Sequence, residues 1–79
     1  MKFTVYSKNG CPYCTKVKQV LELSSLEHVV YTLGEHFNRE DFYAEFGIGS
    51  TFPQVVMNDT EHLGGCTDTV KYLKEQNIV

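Results

Sequence analysis

The amino-acid sequence predicts an α/β fold with the element order β-α-β-α-β-β-α, and three observations carry that prediction. A short apolar stretch, Phe3-Thr4-Val5-Tyr6, is followed by turn-forming Ser7-Lys8-Asn9-Gly10 and then by an amphipathic run that starts at Pro12. A second β-branched stretch over residues 28–33 follows at the spacing of a helical crossover. Near the end, two strand-like segments flank Asn58-Asp59 and lead into a last helical pattern.

Each element has its own signal. Pro12 suits the first position of a helix, where its missing N–H is unpaired anyway and its φ is already helical. Val17, Val20, Leu21 and Ser24 then recur at i, i+3, i+4 and i+7, while Lys16, Lys18, Gln19 and Glu22 fall elsewhere on the wheel. The strand over residues 28–33 ends at Gly34, and a right-handed crossover makes it parallel to the first. Asn38 can cap a short second helix over residues 39–46, with Phe42, Ala44 and Phe46 giving a mixed apolar face. Gly47-Ile48-Gly49-Ser50 breaks it. Residues 54–57 and 60–63 form a hairpin about Asn58-Asp59. Gly64-Gly65 opens a final helix over residues 67–76, with Val70, Tyr72 and Leu73 facing inward.

Composition narrows the function classes. Residues 1–79 are expected to form a single small domain, and a hydrophobic fraction of 42%, with five Phe and five Tyr, is that of a chain that folds. A net charge of −3, with acids spread from Glu22 to Glu75, leaves no basic stripe for a nucleic-acid backbone. No apolar run approaches the roughly 20 residues that span a bilayer, and the first residues lack the charged and apolar regions of a signal peptide. A cytoplasmic protein is therefore expected, with neither nucleic acid nor membrane as partner. No repeat or low-complexity segment interrupts the chain.

Chemistry concentrates at Cys11-Pro12-Tyr13-Cys14. Cys11 falls in the N-cap region of the first helix, where free backbone N–H groups and the helix dipole favour thiolate over thiol. Lys8, three residues upstream, adds a cation. Cys11 is thus the expected nucleophile, and Cys14, one turn further in, the expected resolving thiol. Three cysteines cannot all pair within one chain, so the close pair suggests a catalytic disulfide rather than a structural framework. Cys66 is expected to be a small buried hydrophobe. His28, His36 and His62 show no zinc spacing, and no metal is expected.

Three blocks occur in register: Cys11-Pro12-Tyr13-Cys14 at a helix start, Thr51-Phe52-Pro53 before the hairpin, and Gly64-Gly65-Cys66-Thr67-Asp68 before the last helix. Together they resemble the glutaredoxin family, in its compact bacterial and viral form, over essentially the whole chain. The resemblance implies a thioredoxin fold, with a four-stranded mixed sheet flanked by three helices, and a cis peptide bond before Pro53. It also implies a glutathione groove. Lys8 would meet the glycyl carboxylate, and Tyr13 would close over the sulfur. The backbone of Phe52 would pair with the cysteinyl unit, beside Thr51 and Pro53, while Cys66 offers a backbone contact and Thr67 and Asp68 hold the γ-glutamyl end. Most relatives carry a smaller apolar residue where Phe52 stands, so the width of the groove is an open question, and a purely structural aromatic is the competing reading. For Thr67 and Asp68 the competing role is helix capping, which is compatible with ligand binding.

The function implied is that of a monomeric dithiol oxidoreductase that uses glutathione as co-substrate to reduce protein disulfides and glutathione mixed disulfides. Delivery of electrons to ribonucleotide reductase is a common task of compact relatives. Such proteins work at roughly −200 to −230 mV, near the cytosolic glutathione poise, so glutathione can recharge them. Two other readings remain open on sequence alone: an electron carrier recharged by thioredoxin reductase, and a protein that binds an iron–sulfur cluster between two chains. Relatives of the latter kind usually carry a smaller residue where Pro12 stands.

Overall fold

A computed structural model describes residues 1–78. The elements follow the expected order: β1 (Lys2–Ser7), α1 (Pro12–Leu23), β2 (Glu27–Thr32), α2 (Arg39–Phe46), β3 (Gln54–Met57), β4 (Glu61–Gly64) and α3 (Cys66–Glu75). The four strands lie in the order β2-β1-β3-β4. β1 pairs parallel with β2, Val5 opposite Val30, and antiparallel with β3, Val5 opposite Val55. β3 and β4 form the antiparallel hairpin, with an irregularity between Val55 and Val56. This is the mixed sheet of a thioredoxin fold.

Alternation along the strands separates two cores. Phe3 and Val5 of β1 and Val55 and Met57 of β3 meet Val17 and Leu21 of α1 and Cys66 and Leu73 of α3 in the main cluster. Tyr6, next to Val5, points to the other face and packs there against Phe46 of α2, ring centroids 5.1 Å apart. Phe37, Phe42 and Phe52 complete this second, aromatic layer. Among the described residues, no helix is long and apolar enough to cross a membrane.

Caps and turns explain where elements begin and end. Asn38 Oδ1 accepts from the Asp41 N–H at 2.8 Å, and α2 stops at Gly47, whose φ of 100° suits glycine. Asn58 and Asp59 both take positive φ, the conformation of a tight hairpin turn, and the Thr60 N–H donates to the Met57 carbonyl.

Several expectations need correction. Ala44 is exposed rather than part of the apolar face, because it lies two residues from both Phe42 and Phe46 and so on the far side of α2. Ser24 caps α1 rather than extending its buried stripe. Thr69, passed over in the sequence, is fully buried, its hydroxyl donating to the Gly65 carbonyl at 2.8 Å. β2, β4 and α3 are each displaced by one residue from their expected spans, the normal uncertainty of element ends.

Candidate active site

Helix α1 begins on its chemistry. Cys11 is the N-cap, with extended backbone, and Pro12 follows as the first helical residue. The Cys14 N–H donates to Cys11 Sγ at 3.2 Å, so sulfur fills the acceptor role that serine or aspartate oxygen usually takes. Cys11 and Cys14 are joined as a disulfide, with Cα atoms 5.2 Å apart. Cys11 retains 8% of its accessible surface and Cys14 1%, which leaves Cys11 as the sulfur an incoming group can reach. Tyr13 between them is 61% exposed, far more than a core aromatic would be.

Beside the disulfide lies a cavity of about 440 Å³. Tyr13 from α1, Thr51, Phe52 and Pro53 from the loop before β3, and Cys66, Thr67 and Asp68 from the start of α3 all line it. The peptide bond between Phe52 and Pro53 is cis. Cys11 Sγ sits 3.8 Å from the Phe52 carbonyl oxygen, which brings the loop against the reactive sulfur. Lys8 is placed differently. With Asn9, Gly10, Cys11, Pro12, Thr15 and Lys18 it lines an adjoining recess of about 380 Å³, so Cys11 lines a basic recess while its sulfur meets Phe52, a residue of the larger cavity.

Other details were not anticipated. Gln54 lines the larger cavity and is nearly buried; its Nε2 donates to the Thr51 carbonyl at 2.8 Å, while His62 Nε2 lies 2.6 Å from its Oε1. A polar residue opening an otherwise apolar strand was the available signal. Gly64 has φ of 108°, and a Cβ there would come within 2.5 Å of Asp68 Oδ2. Its freedom therefore serves the Asp68 carboxylate, which accepts from the Gly65 N–H at 3.3 Å and caps α3. Burial pushes the Cys66 thiol pKa up, only partly offset by Lys16, and so disfavours its thiolate. Among the described residues, no three His, Cys, Asp or Glu side chains gather as metal ligands would.

The glutaredoxin family model matches residues 3–63. The chain belongs to the glutaredoxin family. It is 32% identical to glutaredoxin 1 of Escherichia coli over 82 aligned positions, covering 95% of each chain. The structure of reduced Escherichia coli glutaredoxin is similar over the full length of both chains, with a TM-score of 0.83 and 26% identity. A buckwheat glutaredoxin solved as a complex with glutathione shares the fold, with a TM-score of 0.79 and 23% identity over 96% of this chain and 71% of that one. As a glutaredoxin, the protein is a thiol-disulfide oxidoreductase with Cys11 and Cys14 as its redox pair.

Proposed function

We propose that residues 1–79 act as a monomeric, cytoplasmic dithiol glutaredoxin that takes electrons from glutathione and passes them to protein disulfides and glutathione mixed disulfides, ribonucleotide reductase among the candidate acceptors. The observation that carries this reading is the cavity of about 440 Å³ beside the disulfide, walled by all three sequence blocks. Its size suits a peptide-sized ligand. The glutathione complex of the buckwheat relative supports the same ligand.

Within it, the Phe52 backbone pairs with the cysteinyl unit and directs the ligand sulfur toward Cys11. Thr67, at the open start of α3, donates its hydroxyl to the γ-glutamyl carboxylate, helped by the helix N-terminus. Asp68 receives the γ-glutamyl ammonium, Tyr13 closes over the sulfur, and Thr51, Pro53 and the Cys66 backbone complete the wall. Lys8 attracts the glycyl carboxylate from the adjoining recess.

The cycle balances through thiol-disulfide exchange. Cys11 thiolate attacks a substrate disulfide, forming a mixed disulfide and expelling one substrate thiolate. Cys14 thiolate then attacks Cys11 sulfur, releasing the second substrate thiol and forming the Cys11–Cys14 disulfide. One glutathione thiolate opens that bond at Cys11, and a second removes the glutathionyl group as glutathione disulfide.

The test is turnover of a small glutathione mixed disulfide, coupled through glutathione reductase to NADPH consumption. Turnover is expected; activity only with thioredoxin reductase would replace this reading with that of a separately recharged carrier.

A further inference from the structure

A second recess, of about 240 Å³, opens beneath α2 on the aromatic face of the sheet. Tyr6, Phe37, Phe42 and Phe46 line it together with Asp41 and Glu45, both exposed to solvent, and no basic residue is among them. Four residues apart on one helix, Asp41 and Glu45 project from the same face. The rings brace one another, Tyr6 meeting Phe37 at 5.5 Å and Phe42 meeting Phe46 at 5.1 Å, so the recess is formed before anything enters it. Glu45 acts on its interior: the Tyr6 hydroxyl is held protonated to higher pH by burial and then by the Glu45 charge, with further contributions from Tyr31 and Asp59.

Ring faces and carboxylates attract the same kind of guest, a cation. The volume falls below the roughly 300–1,000 Å³ of small-molecule pockets, so it accommodates one side chain rather than a cofactor. Of the two long cationic side chains, arginine fits better, because its planar guanidinium stacks on a ring while its N–H groups fork to a carboxylate. Two packed residues link the recess to the redox site: Phe42 in its wall stacks on Phe52 at 4.2 Å, and the Phe52 carbonyl lies against Cys11.

We infer that the recess formed by Tyr6, Phe37, Phe42 and Phe46 with Asp41 and Glu45 is a docking pocket for an arginine side chain of a disulfide-bearing protein substrate. This rests on the proposed reduction of protein disulfides and adds a selection rule to it. A substrate would be chosen by an arginine near its disulfide as well as by the disulfide itself.

The first arm of the test is NMR titration with N-acetylarginine methylamide and with its neutral citrulline counterpart. Ring resonances of Tyr6, Phe42 and Phe46 should shift with the arginine compound alone, and E45Q should abolish the response. The second arm compares disulfide peptides that differ only in arginine or citrulline. The arginine peptide should be favoured about tenfold in kcat/KM, a preference lost in E45Q and in D41N. Equal shifts from both compounds, or a preference that survives both substitutions, overturns the pocket. Ring shifts specific to arginine without turnover of any disulfide support the pocket and overturn the proposed function instead.

Discussion

The Lys8 ammonium lies over the Phe52 ring, 5.4 Å from its centroid. The ring that faces this cation also stacks on Phe42 at 4.2 Å, with planes only 10° apart. Phe52 thus joins the loop beside Cys11 to α2, while its carbonyl remains turned toward the sulfur. The side chain and the backbone of one residue serve different purposes.

Phe52→Val separates those purposes. Loss of the stacked ring should lower stability by about 1–2 kcal/mol, read as a reduced urea midpoint at unchanged m-value. Turnover of a glutathione mixed disulfide should persist within severalfold, because the backbone at this position survives. Complete loss of turnover in a folded variant would place the ring itself in the ligand-binding machinery.

The two cysteines should separate by substrate. Cys11→Ser should abolish all turnover, whereas Cys14→Ser should keep deglutathionylation and lose reduction of protein disulfides that need both thiols. Matched assays on a glutathione mixed disulfide and a protein disulfide test this, and equal loss in both variants contradicts the assigned roles.

Asp68 has a capping duty and a proposed ligand duty. Asp68→Ala should cost about 0.5–2 kcal/mol through the lost α3 cap. If Asp68 also holds the ligand ammonium, KM for glutathione should rise by about tenfold while kcat is retained. A stability loss with unchanged KM would confine Asp68 to capping.

Gly64→Ala meets both a positive φ and the Asp68 carboxylate. A destabilisation of about 1–3 kcal/mol is expected from this conflict. In the double variant with Asp68→Ala the clash with the carboxylate should vanish while the 3.1 Å approach to the Cβ of residue 68 and the strained φ persist, leaving a non-additive thermal or urea denaturation cycle.

Alkaline pH should expose the buried Cys66. Its thiol pKa is raised in the folded protein, chiefly by burial. Its stabilising contribution is therefore complete below the unfolded thiol pKa and is lost as pH rises through the folded one. Urea midpoints measured from neutral pH upward should fall across the thiol range, and Cys66→Ala should flatten that part of the curve. Tyr6, raised mainly by burial and Glu45, should cause a further fall at higher pH.

Much of this architecture was legible because its signals are local. Pro12 after Cys11, Asn38 before α2 and Asn58-Asp59 in the hairpin each act within a few residues, and each element formed where expected. Each of the three motif blocks likewise contributes to the lining of the cavity. What was hidden depends on packing across the sheet. Nothing near Phe52 in sequence announces its stack on Phe42, and nothing near Gln54 announces His62, which the β3–β4 hairpin brings within 2.6 Å of it. Lys8 was expected at the glutathione groove through the family resemblance; in space it lies over the ring of Phe52, which lines the larger cavity, and itself lines the adjoining recess.

Cys11 Sγ caps the helix that presents it, accepting from the Cys14 N–H. Favour between two partners runs both ways: if the start of α1 stabilises the thiolate, the thiolate stabilises the start of α1 by the same free energy. Any redox step that changes the bonding of that sulfur therefore also changes the acceptor of the Cys14 N–H, so the nucleophile and the first turn of its scaffold respond together.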